Sequence, residues 1–271
     1  MHILVFALVL LGAITAPAQS VDTRVGARHA GMGYASFTVF DEASFFNNIG
    51  AIGRLEAPAV FFAYEVVADL PGANRTAAAV VWPTAIGTFA GGVFRFGDDI
   101  YSEQILSLAF SNRIGATSLG IKANIVQYRA AGFETKNAIT IDFGGLTQIT
   151  PKVYVGAGIF NVTQSSIEAD EVLPVSLVAA IAYQDDNRIT LALEVEKKLG
   201  SPLRFKGCVE YGIAKKLLFR SGFNMNPVVL FVGLGARTRR ANYDYCSSIS
   251  YTLGFAHQAS VAYRLAIPRN K

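Results

Sequence analysis

The 271-residue sequence predicts an all-β fold. We expect a transmembrane antiparallel β-barrel of about fourteen strands, with a small N-terminal hatch or plug containing a short helix. Hydrophobic residues make up 52% of the chain and charged residues only 16%, whereas soluble domains carry about 25% charged residues. After the N-terminus, no apolar run reaches the roughly 18 residues of a spanning helix. Apolar and polar residues instead alternate with a period of two, and lipid accepts only helices or closed barrels.

The N-terminus resembles an export signal. Residues 3–14 are almost wholly apolar and precede Ala16-Pro17-Ala18, a small-residue cleavage site. We expect residues 1–18 to be a signal peptide cleaved near Ala18, although the segment before the apolar run contains no Lys or Arg. A buried core helix is the alternative. An exported barrel would lie in the bacterial outer membrane, in contact with its lipid.

Residues 19–56 lack strand alternation and are expected to form the hatch. Residues 26–35 are small and rich in glycine. Asp41 can cap a short helix that ends within residues 44–48, and residues 49–53 predict a turn. The motif residues of this hatch are Gly26, Arg28, Gly31, Gly33, Asp41, Asn47 and Asn48.

Residues 57–266 are expected to form the barrel, and residues 267–271 a C-terminal tail. Residues 189–196 show the pattern clearly, with Leu191 and Leu193 on one face and Glu194 and Glu196 on the other. Segments of this kind begin near Ala59, Arg75, Thr88, Gln104, Ser118, Ala138, Val153, Val175, Arg188, Leu203, Leu217, Val228, Tyr243 and Gln258.

Charged side chains on the polar strand faces are the candidate functional residues. They would form either a polar constriction that contacts a solute or the hatch, or ion pairs that fill a narrow barrel. We favour ion pairs, because charges inside a barrel usually need partners. The main candidates are Glu194, Glu196, Arg204, Lys206, Glu210 and Arg220, and Asp142, Arg237, Asp244 and Arg264 fall on similar faces.

Aromatic residues near strand ends predict interfacial girdles of the kind that flank outer-membrane barrels. The two cysteines, Cys208 and Cys246, fall on the lumen face about three strands apart. That spacing corresponds to about 14 Å, too far for a disulfide between them. The girdle candidates are Tyr64, Trp82, Tyr128, Tyr154, Tyr183, Tyr211, Tyr243 and Tyr263.

Several function classes lack support in the residues. After cleavage, His29 lies in the hatch motif and His257 at a predicted turn, and neither has a nucleophile or carboxylate context, so we expect no enzyme. Gly31-Met32-Gly33 lacks the strand–helix unit of a dinucleotide site, and no metal-ligand spacing occurs, so no cofactor is expected. The net charge of +4 is scattered, which predicts no nucleic-acid partner.

Segments Gly26–Ala35, Asp41–Ser44 and Asn47–Gly50 together resemble the mature N-terminus of the PorV/PorQ group within the FadL-like outer-membrane proteins. In that group a GARxxGMGxA stretch precedes a D-x-A-S stretch and an Asn-Pro-Ala-Gly turn. This sequence departs from the pattern with Asn48-Ile49-Gly50 at the turn. Weaker similarities lie at residues 156–162, 173–174, 191–197 and 220–224.

The resemblance implies a fourteen-stranded barrel with an N-terminal plug. The PorV branch works in type IX secretion, which implies a scaffold or shuttle partner with protein partners in a secretion complex at the cell surface. FadL itself carries hydrophobic compounds inward, so the alternative is a channel for uptake of hydrophobic small molecules. A channel needs an apolar lumen pocket and a route past the hatch, whereas the lumen of a scaffold can be packed solid. The inward charges of the later strands favour the scaffold.

Overall fold

The computed structural model describes residues 22–168, 171–185 and 188–265. The predicted signal peptide, residues 1–18, and the predicted tail, residues 267–271, lie outside the described residues. The strands are β1 (Ala59–Val67), β2 (Arg75–Thr84), β3 (Gly87–Gly97), β4 (Tyr101–Ile114), β5 (Thr117–Ala130), β6 (Lys136–Thr150), β7 (Val153–Phe160), β8 (Ser166–Glu168), β9 (Glu171–Val172), β10 (Ser176–Asp185), β11 (Ile189–Lys198), β12 (Arg204–Ala214), β13 (Leu217–Asn224), β14 (Val229–Arg237), β15 (Ala241–Ser250) and β16 (Gly254–Arg264).

Fourteen of these strands form one closed antiparallel barrel, as predicted, and β8 and β9 form a small separate hairpin. Each barrel strand pairs with its neighbours along the barrel, and β1 pairs with β16 to close the sheet. The predicted strand starts differ from the observed ones by at most four residues, with the largest difference at β16. His257 therefore lies inside β16, and the prediction that it lies at a turn is wrong.

The period-two pattern places apolar side chains outside and polar side chains inside. On β11, Leu191 and Leu193 are exposed while Glu194 and Glu196 are buried. An apolar outer face on a sheet without free edges satisfies the requirements of a lipid environment. Among the described residues, no helix has the length and apolar character to cross a membrane.

The predicted aromatic girdle is partly wrong. Tyr128 and Tyr154 are each only 9% exposed and face the lumen. Tyr128 shares the inward parity of Asn124 and Val126 on β5, so an interfacial role is excluded by strand geometry. The outward-facing members are Tyr64, Trp82, Tyr183, Tyr211, Tyr243 and Tyr263.

The hatch, residues 22–56, occupies the lumen and contains helices α1 (Ala27–Gly31) and α2 (Ser44–Asn47). Ser44 N donates to Asp41 Oδ1 at 3.1 Å, so Asp41 supports the start of α2. The turn predicted at residues 49–53 is instead a 3-10 helix, Ile49–Arg54. It forms because the Asn48 side-chain oxygen accepts a hydrogen bond from Gly50 N and satisfies its first turn.

Short turns and longer connections alternate along the chain and define two rims. We call the end with turns 85–86, 115–116 and 215–216 the turn rim, and the end with connections 68–74, 131–135 and 161–175 the loop rim. The connection 161–175 carries the β8–β9 hairpin and bends inward, since Leu173 is only 6% exposed and packs in the main apolar cluster.

Candidate functional site

A buried ion cluster joins the beginning of the hatch to strands β11 and β12. Arg24 Nη2 lies 2.9 Å from Glu196 Oε2, and Arg24 Nη1 lies 3.4 Å from Glu194 Oε1. Lys206 Nζ lies 2.7 Å from Glu194 and 2.8 Å from Glu196. We call these four residues the first ion cluster. Arg24 also pairs with Asp22, and Glu196 with Arg204, so three cations and three carboxylates balance in total. This balance makes the burial of the cluster possible.

A second ion cluster lies nearer the turn rim and contains Arg28, Asp41, Glu210, Arg220 and Asp244. Glu210 accepts from Arg28 Nη2 at 2.7 Å and from Arg220 Nε at 2.6 Å. Arg220 Nη1 lies 2.7 Å from Asp244 Oδ1, and Arg28 Nη1 lies 3.2 Å from Asp41 Oδ2. Arg28 and Asp41 come from the hatch, so the cluster ties the hatch to β12, β13 and β15.

The structure thus brings five of the six predicted lumen charges into these two clusters. The sixth, Arg204, lies at the edge of the first cluster, 3.5 Å from Glu196. Their partners include hatch residues, which favours the ion-pair alternative. Among the further candidates, Asp142 lies 3.2 Å from Lys122, and Arg264 lies 3.2 Å from Glu42. Arg237 Nη2 lies 3.9 Å from Glu210.

The remaining motif residues of the hatch make close contacts. Gly33 has φ +59°, and a Cβ there would lie 2.8 Å from Phe223 N. Gly31 approaches β14, where a Cβ would lie 3.2 Å from Gly233 Cα. Asn47 donates to Val25 O and Ala43 O, both at 2.8 Å, and Asn48 donates to Phe37 O at 2.6 Å. Gly26 has φ +122° and lies directly before α1.

His29 has polar partners that the sequence analysis missed. Its Nδ1 lies 2.7 Å from Ser36 Oγ, and its Nε2 lies 2.8 Å from Asp41 Oδ1. Burial raises the pKa of Asp41, but the attraction of His29 and Arg28 lowers it by more, so the pKa lies well below its ordinary value. The expectation that His29 lacks a carboxylate context is wrong, because its partners are brought together by chain folding after α1.

This Ser36–His29–Asp41 arrangement has the residue types of a hydrolytic triad. His29 is 0% and Ser36 is 2% exposed, and neither lines the cavity of about 600 Å³ above the hatch or the small one beside Arg28 and Asp41. A nucleophile requires space for a substrate beside it. The three side chains therefore position the hatch backbone around α1.

The second half of the hatch meets the barrel through apolar side chains and bare backbone. Phe45 is fully buried, and Phe46 packs 6.1 Å from the ring of Phe61 on β1. A Cβ at Gly50 would lie 2.7 Å from the carbonyl carbon of Gly144 on β6. A Cβ at Gly120 would lie 2.6 Å from Ile49 O. Glycine is required here because the 3-10 helix touches the barrel backbone.

A cavity of about 600 Å³ lies between the hatch and the loop rim, within the usual range of small-molecule pockets. Its floor includes Arg24, Tyr34 and Phe46 of the hatch. Its wall on β11 and β12 includes the charged residues Glu196, Lys198 and Arg204. Its wall on β1 to β7 combines apolar side chains with two ion pairs, Glu65–Arg75 and Lys122–Asp142. The apolar lining residues include Phe94, Phe96, Ile105, Val126, Phe160 and Leu173.

The hatch closes the lumen toward the turn rim. A cavity of about 20 Å³, the size of one water, lies between the hatch and β14 to β16 and is lined by Arg28, Asp41 and Asp244. The hatch thus lies between the main cavity and the turn rim.

Comparison with protein-family models and with curated proteins gives no match. Solved structures similar to this chain include the CymD monoaromatic hydrocarbon channel, with TM-score 0.71 and 13% identity over 92% of this chain and 99% of that one. The Ralstonia pickettii toluene transporter TbuX has TM-score 0.68 and 13% identity over 90% and 99% of the two chains. A Pseudomonas aeruginosa FadL homologue has TM-score 0.65 and 11% identity over 91% and 100%. At these identities the likeness shows the fold, which is that of the FadL-type outer-membrane barrels.

Proposed function

We propose that this FadL-type barrel is an outer-membrane channel that takes up hydrophobic small molecules. The observation that carries the proposal is the cavity of about 600 Å³ above the hatch, whose lining includes an apolar level formed by Phe94, Ile105 and Val126. The similar structures include proteins described as a monoaromatic hydrocarbon channel and a toluene transporter. The proposal agrees with the alternative drawn from the sequence resemblance better than with its secretion role.

The geometry suggests an order of events. In outer-membrane barrels the longer loops face outward and the short turns face the periplasm. A ligand would then enter at the loop rim and bind against Phe94, Ile105 and Val126. Its release would require displacement of the hatch, because the hatch lies between the cavity and the turn rim and leaves space for about one water beside Arg28 and Asp244.

Filling the cavity tests the proposal. Val126→Trp places a large side chain in the cavity, whereas Ile125→Trp places it on the outer face of the same strand, where Ile125 is 51% exposed. Initial uptake of radiolabelled ethylbenzene is measured in bacteria that lack their own hydrophobic channels. We expect the unmodified protein and Ile125→Trp to raise uptake severalfold and Val126→Trp to abolish the increase. Uptake no faster than in cells without the barrel would refute the proposal.

The secretion role implied by the resemblance is the second candidate. The two ion clusters that fasten the hatch would suit a barrel that stays closed while its rim binds other proteins. Mild crosslinking in outer membranes, followed by identification of attached proteins, tests this role. Recovery of a large translocon would support it, and recovery of the barrel alone would count against it.

A further inference from the structure

One level of the cavity wall on β4 to β6 carries a row of neutral polar side chains. Ser107 on β4, Asn124 on β5 and Thr140 on β6 are register neighbours, and all three line the cavity. Ser107 Oγ donates to Asn124 Oδ1 at 2.6 Å, and Asn124 Nδ2 donates to Thr140 Oγ1 at 3.0 Å. Each of these side chains is at least 94% buried. We call them the polar rung.

The two ends of the polar rung retain unused hydrogen-bonding capacity. The Thr140 hydroxyl accepts from Asn124, and no described group accepts its own proton. The Ser107 hydroxyl donates to Asn124, and no described group donates to its lone pairs. A hydroxyl can both donate and accept, and buried polar groups favour a partner for each. The rung therefore offers a donor at one end and an acceptor at the other.

The surroundings of the rung are apolar toward the loop rim and charge-balanced toward the turn rim. The level above consists of Phe94, Ile105, Val126 and Ala138, which are register neighbours on β3 to β6. The level below holds Lys122 and Asp142, which are 3.2 Å apart.

Both charged groups of this ion pair also make hydrogen bonds to other residues. Asp142 Oδ1 accepts from Asn161 N at 2.8 Å, and Asp142 Oδ2 accepts from Asn124 Nδ2 at 2.9 Å. Lys122 Nζ also donates to Phe45 O of the hatch at 3.4 Å. The polar rung therefore presents neutral hydroxyl groups between an apolar level and an ion pair whose opposite charges face each other.

We infer that the cavity selects hydrophobic molecules that carry a neutral hydroxyl group, such as phenols and aromatic alcohols, over the parent hydrocarbons. This inference rests on the proposed function and specifies its substrate class. A ligand hydroxyl can accept from Thr140 or donate to Ser107 while its ring packs on Ile105 and Val126. A hydrocarbon can use neither the Thr140 proton nor the Ser107 lone pairs, and sites built to hydrogen-bond a hydroxyl discriminate against analogues that lack it.

A matched ligand pair tests the selection. The complete barrel in lipid nanodiscs is titrated calorimetrically with 4-ethylphenol and with ethylbenzene, and empty nanodiscs provide the blank for partition into lipid. We expect 4-ethylphenol to bind about tenfold more tightly.

Two variants locate the discrimination. Thr140→Val removes the hydroxyl with little change in shape, and we expect it to weaken 4-ethylphenol binding about fivefold to tenfold without changing ethylbenzene binding. Ser107→Ala gives a second measurement at the other end of the rung. Thr190→Val is the matched control, because Thr190 faces the lumen on β11 at 8% exposure but does not line the cavity.

The outcomes separate this inference from the proposed function. If both ligands bind equally, or if Thr140→Val weakens both equally, selection for a hydroxyl is refuted and the channel proposal stands. If neither ligand binds, both proposals are refuted. Selective loss of 4-ethylphenol binding in Thr140→Val, with Thr190→Val unchanged, supports the inference.

Discussion

Residues 22–42 of the hatch meet the barrel mainly through charges, whereas residues 43–54 meet it through apolar side chains and backbone. In the first part, Arg24 and Arg28 reach carboxylates on β11 and β12. In the second part, Phe45 and Phe46 pack in the main apolar cluster, and Gly50 lies against the β6 backbone. The cavity lies between these two kinds of wall.

The difference shows how one plug can be both fastened and adjacent to an apolar pocket. Buried ion pairs are directional, and loss of one partner leaves an uncompensated charge. Apolar contacts depend on close packing, so a side chain that is too small or too large for its site lowers the stability of the fold. We therefore expect stability to fall most when a charge that contacts the first half of the hatch is removed. In the second half, we expect it to fall when a methyl group is added at a close contact.

The largest effect is expected from Lys206→Met. Among the described residues, the change leaves Arg24 and Arg204 as the cations within 4 Å of Glu194 and Glu196. Breaking a buried pair costs about 3–5 kcal/mol. The loss of stability is measured by urea unfolding of the barrel in lipid vesicles. The signal is the fluorescence of Trp82, the single tryptophan, which is 53% exposed on the outer face. Lys197→Met, at an exposed position on the neighbouring strand β11, is the control. An equal loss in both variants would contradict the role of the ion cluster.

A smaller effect is expected from Gly50→Ala in the second half. The added Cβ would lie 2.7 Å from the carbonyl carbon of Gly144, and backbone cannot move as readily as a side chain. Overpacking of this kind costs about 3 kcal/mol or less. Gly91→Ala is the control, since its Cβ would meet a Leu108 methyl at 3.3 Å. Similar midpoints of unfolding for the two variants would show that the hatch does not need the close approach.

The smallest of these effects is expected from Asp41→Asn and depends on pH. Because the folded-state pKa of Asp41 is lowered, its charge stabilises the fold above the ordinary carboxyl range, and the contribution is lost as the pH falls through the folded-state pKa. We expect the variant to be about 1–2 kcal/mol less stable at neutral pH, with the difference shrinking below about pH 4. Unfolding midpoints across this range provide the measurement, with the exposed Asp99→Asn as control. If the stability difference between Asp41→Asn and the unmodified protein does not change with pH, the effect comes from altered packing and not from the lost charge.

Much of the barrel could be predicted from local pattern. Leu191 and Glu194 fall on opposite faces because successive side chains alternate in a strand, whatever the strand packs against. The same parity, applied to β5, would have turned Tyr128 inward and identified Val126 as a lumen residue. The interfacial role of Tyr128 was predicted from proximity to a strand end, which does not determine the face.

The site was less predictable because its partners are distant in sequence. The lumen charges of β11 to β13 predicted a filled barrel. On this side of the lumen, carboxylates of β11 and β12 do form ion pairs with the hatch. The inward residues of β3 to β5, among them Phe94 and Ile105, instead leave a cavity. Ser36 and Asp41 flank His29 because the chain turns back on itself after α1, a turn that includes Tyr34 at φ 56°.

The sequence by itself determined a closed barrel with an apolar outer face, since low charge and period-two alternation act within each strand. Tertiary structure decided which lumen charges pair with the hatch, where the cavity lies and which hydroxyl groups face it. Those features depend on contacts such as Arg24 with Glu196, 172 residues apart. The physical reason is that alternation is a property of neighbouring residues, whereas pairing in a lumen depends on strand register and on the path of the hatch through it.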